Sequence, residues 1–266
     1  MIWRTQTPWL AIIWLAAMFA LAVVGPTLLS DPTAINLSER LASPSFANPM
    51  GTDELGRSML SRLAYATRYS LALIAIATSA SVLLGLSLGV IAAWFGGFID
   101  RIVNLSIDML WSIPVAILAV LVIAIIGVTF LSLTLAIIAV SWVSSARISR
   151  AESLRILASE HILFARALGA PVRTILLWQL LPNLMPVVLM LIGLSAVEIL
   201  ALESGLSFLG LGRPPPNPTL GGMINSGLSY VAAAWWLVLP PALLLTLTVA
   251  SIKTWTDRLS GTYRVG

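Results

Sequence analysis

From Met109 to Ala146 the chain carries no charged side chain, a stretch too long for a single helix through a lipid core. About 20 apolar residues suffice for one crossing. Gly127 divides the stretch, which predicts spans near 103–126 and 130–145. Four more apolar runs of crossing length lie at Pro8–Leu29, Tyr69–Trp94, 183–202 and 232–254. The second ends at Phe95-Gly96-Gly97 and the charged pair Asp100-Arg101. The expectation is an all-α, polytopic membrane protein with six transmembrane helices. Composition agrees: 59% of residues are hydrophobic and 10% charged, with mean hydropathy +0.98, whereas soluble domains carry about 25% charged residues. The first run is too long and its start too weakly basic for a cleaved signal peptide, so it reads as a retained helix.

Charge then sets the sidedness. Between Ala146 and Pro182 the chain turns polar, with Arg147, Arg150, Arg155, Arg166 and Arg173 against Glu152 and Glu160. Positive residues accumulate on the cytoplasmic side. With the N-terminus inside, ten basic residues fall inside (Arg4, Arg101, the five island arginines, Lys253, Arg258, Arg264) and five outside (Arg40, Arg57, Arg62, Arg68, Arg213), which places both termini in the cytoplasm. The island from Arg147 to Leu168 reads as helix. Gly169 is its left-handed stop and Pro171 starts the next turn. Leu163, Phe164 and Leu168 cluster at helical spacing with Arg166 on another flank. Such an amphipathic helix suits insertion into a groove on a soluble motor protein. On amphipathicity alone, a basic loop anchored to lipid headgroups is an equal reading.

The outer loop, roughly 30–68, contains Asp31-Pro32, Pro44 and Pro49 and reads as ordered turns plus a short helix from Asp53. The second outer segment, 203–231, is rich in Gly and Pro. Backbone of that kind at membrane depth must be buried in protein or line a cavity. Within the spans, acids are functional candidates because burying them in lipid is costly. Asp108 lies before Pro114 and is expected to cap or pair with an arginine such as Arg101, or to meet substrate. Glu198 faces either the translocation path or a neighbouring subunit. Gly85-Leu86-Ser87-Leu88-Gly89 permits close helix approach and reads as packing. There is no cysteine, and His161 is the only histidine, so a tight transition-metal site has no ligand set. Lys253 is the only lysine, and no phosphate-binding loop precedes it. The tryptophans lie in or beside apolar segments, which suits interfacial anchoring rather than nucleic-acid binding.

Three motifs carry a resemblance. Arg166-Ala167-Leu168-Gly169-Ala170 followed by Leu180-Leu181-Pro182-Asn183 resembles the coupling loop of type I ABC importer permeases. Met50-Gly51-Thr52-Asp53-Glu54-Leu55-Gly56-Arg57-Ser58-Met59-Leu60-Ser61-Arg62-Leu63 is similar to the dipeptide, oligopeptide and nickel branch of that family. So is Leu206-Ser207-Phe208-Leu209-Gly210-Leu211-Gly212 with Pro215-Pro216-Asn217-Pro218. The resemblance covers about positions 30–259 and implies the type I permease fold. It divides the chain into an N-terminal helix and periplasmic loop (1–68), a permease core (69–258) with coupling loop 146–182, and a tail (259–266). It departs from the family in two places: the Glu-Ala-Ala signature is Leu163-Phe164-Ala165 here, and the Asn-Leu-Leu-Gly-Asp tail is Lys253-Thr254-Trp255-Thr256-Asp257.

By this resemblance the chain is a non-catalytic permease subunit of the inner membrane. It would pair with a homologous permease, two ATP-binding subunits that hold ATP and Mg, and an extracytoplasmic substrate-binding protein; it would itself bind no cofactor. Glu160, Leu163, Phe164, Ala165, Arg166, Leu168 and Gly169 would couple to the ATPases. Glu203, Ser207, Phe208, Glu198 and Asp108 are assigned to an outer gate or substrate path. The cargo is a short peptide, with nickel or a metal chelate as the alternative. An intramembrane hydrolase would need a base near its nucleophile, yet His161 falls on the opposite side from Ser207. A passive channel leaves the arginine-rich island without a purpose.

Overall fold

The computed structural model describes residues 8–262, whose regular structure is helical apart from an isolated antiparallel bridge between Thr52 and Ser58. Arg4 and Arg264, used above to argue sidedness, lie outside the described residues, as does the end of the 259–266 tail. The helices are α1 (Pro8–Leu28), α2 (Met59–Phe95), α3 (Gly97–Trp111), α4 (Val115–Ile126), α5 (Phe130–Leu157) and α6 (Glu160–Ala167). They continue with α7 (Val172–Phe208), α8 (Leu220–Leu228) and α9 (Leu239–Thr262). Five are long and apolar enough to cross a membrane, and the count reaches six if α3 and α4 together form one span.

That pair corrects the expected straight span near 103–126. The chain bends by 89° between Trp111 and Val115. Pro114 has no N–H to give a continuing helix and disfavours helical geometry in the residue before it, so α3 stops and α4 restarts in a new direction. Two other spans are longer than expected. α2 begins at Met59 rather than Tyr69, and α5 continues to Leu157. α7 runs unbroken over 37 residues through a π-wound segment at Ile175–Leu180, placed just before Pro182 and Pro186. A widened turn accommodates proline rings that an α-helical ladder would exclude.

The short helix expected from Asp53 is absent. Asp53 instead accepts from the N–H groups of Leu55 and Arg57, both at 2.9 Å, and closes a tight turn. The same carboxylate is held by Arg57 at 2.6 Å and Arg62 at 3.2 Å. This buried cluster fastens the outer loop to the start of α2.

The bundle is seamed along α2 and α5. A Cβ on Gly89 would sit 2.7 Å from the Ala146 carbonyl oxygen and 2.8 Å from the Arg150 nitrogen, and one on Gly85 would sit 2.7 Å from the Ala146 nitrogen. Only glycine lets the backbones approach this closely, so the GxxxG motif packs as expected. Around the seam, Leu73, Ala77, Ile123, Ile137, Ile199 and Leu206 bring α2, α4, α5 and α7 into one core. A second cluster joins α1, α2, α8 and Trp236, whose indole donates to the Thr52 carbonyl at 3.1 Å. A third, at the other end of α2, gathers Ala93, Ile156, Ile162, Ile175, Leu180 and Leu184.

Candidate functional site

Two regions at opposite ends of α2 carry the chemistry. A 37-residue helix is about 55 Å long at 1.5 Å per residue, so its ends reach both membrane faces. At the Phe95 end, α5 stops at Leu157. The chain turns at Ala158 and Ser159, where the Ser159 hydroxyl donates to the Ile156 carbonyl at 2.5 Å. The expected helix from Arg147 to Leu168 is therefore two helices, and α6 is free to take its own direction. Its far end is closed as the sequence predicts. Gly169 has φ +78°, its N–H donates to Arg166 at 3.0 Å, and the Ala170 N–H reaches back to Ala165 at 3.0 Å. These are the two bonds of a Schellman stop, which needs a left-handed residue at the glycine position.

One apolar side chain, Ile162, anchors α6 in the third cluster. Leu163, Phe164 and Leu168 are left 51%, 67% and 73% exposed. Glu160 and Arg166 occupy the first and last turns, where each charge opposes the helix dipole favourably. Arg166 also lies over the Trp94 ring at 4.6 Å, as Arg147 lies over Trp111 at 4.5 Å. Arg150 grips Asp100 through Nη2 at 2.6 Å, and Arg155 holds Glu152 at 2.5 Å. Arg147 and Arg150 thus brace α5 against α3, and Arg166 braces α6 against α2, while the apolar edge of α6 remains uncovered. His161 is exposed, with the Ser159 hydroxyl 3.5 Å from its Nε2.

At the Met59 end two partly open cavities meet. One, of about 410 Å³, is bordered by Glu54, Arg57, Arg62, Ser207, Asn217 and Asn225; the other, of about 660 Å³, by Asp31, Tyr65, Arg68, Tyr69, Arg213 and Asn217. The Gly/Pro segment after α7 forms their shared rim, in keeping with the requirement that such backbone be buried or line a cavity. Glu203 is fully buried beside them. It accepts from Ser207 at 2.8 Å and from Ser70 and Ser204 at 3.3 Å. Ser207 therefore touches both the first cavity and the buried carboxylate.

Residues 85–264 match the family of binding-protein-dependent transport system inner membrane components. The chain belongs to this family. Among curated relatives, it is 33% identical to the dipeptide transport system permease protein DppC of Bacillus subtilis, over 91% of this chain and 76% of that protein. It is 32% identical to the protein of the same name from Haemophilus influenzae, over 94% and 87%. Among solved structures, the MetNI methionine ABC transporter in inward facing conformations shares the fold with a TM-score of 0.60 at 20% identity, over 77% of this chain and 97% of that chain. The protein is a permease component of an ABC importer, with the type I fold.

In this permease the remaining candidates are dispersed. Phe208 ends α7 and is 36% exposed. Glu198 is exposed on α7, five residues before the buried Glu203. Asp108 is exposed on α3, and no ion pair joins it to Arg101 among the described residues; the acid of α3 that pairs is Asp100, with Arg150. The second cavity gathers residues that sequence reading passed over as outer-loop charges. Asp31 is one. Its Oδ1 accepts from the Thr33 hydroxyl at 2.6 Å and the Thr33 N–H at 2.8 Å, and these bonds hold its carboxyl below the ordinary aspartate value. The Asp31-Pro32-Thr33 turn signal was legible, but nothing in the sequence joined it to Arg68 and Arg213.

Proposed function

We propose that this permease serves an ATP-driven importer of short peptides in the cytoplasmic membrane, with both termini and α6 inside. The observation that carries the reading is α6 itself, an eight-residue helix bounded by its own breaks with Leu163, Phe164 and Leu168 uncovered. Those side chains fit a groove on an ATP-binding subunit, and Glu160, Ala165, Arg166 and Gly169 set the helix's pose. The peptide cargo rests on the relatives, whose names are those of dipeptide permeases.

The working complex would contain a second, homologous permease, two ATP-binding subunits that hold ATP and Mg, and an extracytoplasmic binding protein that delivers cargo to the Met59 end. Closure of the ATPases displaces α6, and the bundle rocks between outward-open and inward-open packings. Repeated hydrolysis on the partners resets the cycle. Glu203, Ser207 and Phe208 shape the outer gate, and Glu198 and Asp108 meet the second permease or the path.

The test is uptake by the reconstituted complex. Wild type should accumulate dipeptide only with ATP and binding protein present. Replacing Arg166 and Gly169 together should leave assembly and ATP hydrolysis intact while uptake falls; normal coupled uptake in that variant refutes the assignment of α6.

A further inference from the structure

The second outer cavity has an unusual charge arrangement. Arg68 and Arg213, both exposed, share its wall with the exposed carboxylate of Asp31. None of the three is within ion-pair distance of another among the described residues, so the opposite charges face a common space without neutralising each other. Two of the groups have other contacts. Arg213 is drawn over the Tyr69 ring, 5.6 Å from its centroid, and Tyr69 meets Phe130 edge-on at 5.5 Å. Asp31 is fixed by Thr33 through Oδ1 alone, and Oδ2 has no partner among the described residues. Tyr69 is more than nine-tenths buried, and its hydroxyl has no hydrogen-bond partner either.

A cavity whose lining carries two cations and one anion, none of them paired with another, complements a ligand charged at both ends. We propose that this cavity is a binding site on the permease for the zwitterionic backbone of a short peptide, its carboxylate on Arg68 and Arg213 and its amino group on Asp31. The proposal rests on the peptide-importer reading and deepens it by naming the groups recognised. Size agrees. Ligand pockets run to roughly 300–1,000 Å³, and this one is about 660 Å³. Extended backbone covers roughly 3.5 Å per residue, so a dipeptide or tripeptide presents its two charges about 7–10 Å apart. At pH 7 free termini carry both charges, and every unmodified peptide offers the same pair whatever its side chains. Recognition by termini therefore selects for length and leaves sequence open. Arg213 and Asn217 also border the neighbouring cavity, so cargo held here lies beside Ser207 and the Glu203 cluster.

The experiment uses the complete transporter, both permeases and both ATPases, in lipid nanodiscs without the binding protein. Saturation-transfer NMR reads the binding of L-alanyl-L-alanine, its N-acetyl derivative and its C-terminal amide. The expected result is saturable binding of the free dipeptide, weakened about tenfold or more by blocking either end, as loss of a charge-assisted contact implies. Asp31→Asn keeps the Oδ1 acceptor for Thr33 and removes the charge. It should abolish only the preference for a free amine. Arg68→Gln with Arg213→Gln should abolish only the preference for a free carboxylate.

Saturable binding that ignores both end-blocking and these variants overturns the site. So does absence of saturable binding in a complex whose binding-protein-dependent dipeptide uptake is normal, and there the peptide reading survives. If the variants only raise the binding-protein concentration needed for half-maximal uptake, the cavity is a docking face and the proposal falls. Failure of the wild-type complex to take up any of a mixed set of dipeptides, with its binding protein present, refutes the peptide reading and the site together.

Discussion

Truncating Leu163 and Phe164 to alanine should weaken ATPase docking without destabilising the permease. Full burial of a Leu or Phe side chain contributes about 1.5–3 kcal/mol relative to exposure. Phe164 is 67% and Leu163 51% exposed in the isolated chain, so roughly half to two-thirds of that remains to be gained, about 1–2 kcal/mol each. Alanine retains a small part of it, and the pair together should lose about 2–3 kcal/mol, or a 30- to 150-fold weaker complex. The folded chain loses little, because Ile162 makes the buried contact that anchors α6 and alanine favours helix. The assay is titration of labelled ATP-binding subunit onto the permease pair in nanodiscs, with thermal unfolding of the permease measured in parallel. An unchanged affinity with an unchanged melt would refute the claim that this edge is the docking surface. Ile162→Ala supplies the contrast: it should lower the melting temperature, since a buried isoleucine truncated to alanine costs about 2–5 kcal/mol.

Three other substitutions probe the scaffold. Gly89→Ala pushes a methyl to 2.7–2.8 Å from backbone atoms of α5, and should cost about 1–3 kcal/mol by overpacking, read as a lower melting temperature and reduced yield. Ser207→Ala removes the 2.8 Å donor to the buried Glu203 and should cost about 1–3 kcal/mol, with Ser207→Thr retaining most of the stability in the same melt. Gly169→Ala meets open space but must adopt φ +78°, a left-handed strain of about 1–2 kcal/mol; uptake per ATP hydrolysed should fall while membrane insertion, followed by immunoblot, stays normal.

Apolar run length made the first helix legible nearly to the residue, because a lipid-facing segment must be apolar along its whole length. Hydropathy carries no direction, however. No charge interrupts the run from Met109 through Ser112-Ile113-Pro114 into α4, so hydropathy did not mark the bend and the two helices read as one span. The opposite error occurred at the start of α2. Arg62 and Arg68 looked like loop charges, but Arg62 is neutralised by Asp53, and Arg68 sits in a cavity wall. A charge inside a helix is excluded by lipid only where nothing else receives it. At α6 the left-handed glycine and the leucine–phenylalanine spacing were both local signals, and both survive in the structure. The outer cavity is a different case. Asp31, Arg68 and Arg213 come from three separate segments, brought to one space by the packing of α2 against α7 and by the bonds of Ser61 and Arg62 to the Ser30 and Pro32 carbonyls.

Two rods connect the regions that the proposed cycle must link. α2 and α7, each about 55 Å long, contribute Ala93, Ile175 and Leu180 to the cluster that holds Ile162 of α6, and Tyr69 and Ser207 to the cavities at the other end. Toward the Met59 end of α2 they are tied by the Ser70–Glu203 hydrogen bond. Packed helices move as bodies because their interiors are too dense to deform locally, and the glycine seam makes α5 part of the same body as α2. A displacement of α6 is therefore passed along the rods rather than absorbed beside it. The proposed cycle would take up motion elsewhere, in the 89° joint between α3 and α4, where Ser112, Ile113 and Pro114 interrupt the backbone ladder. In this arrangement α3 is held to α5 near its Gly97 end by Asp100 and Arg150, while α4 packs through Ala119 and Ile123 into the central core. The joint lies between these two attachments, and Ser112, Ile113 and Pro114 are exposed, so a rotation taken up there would leave the packing of the central core in place.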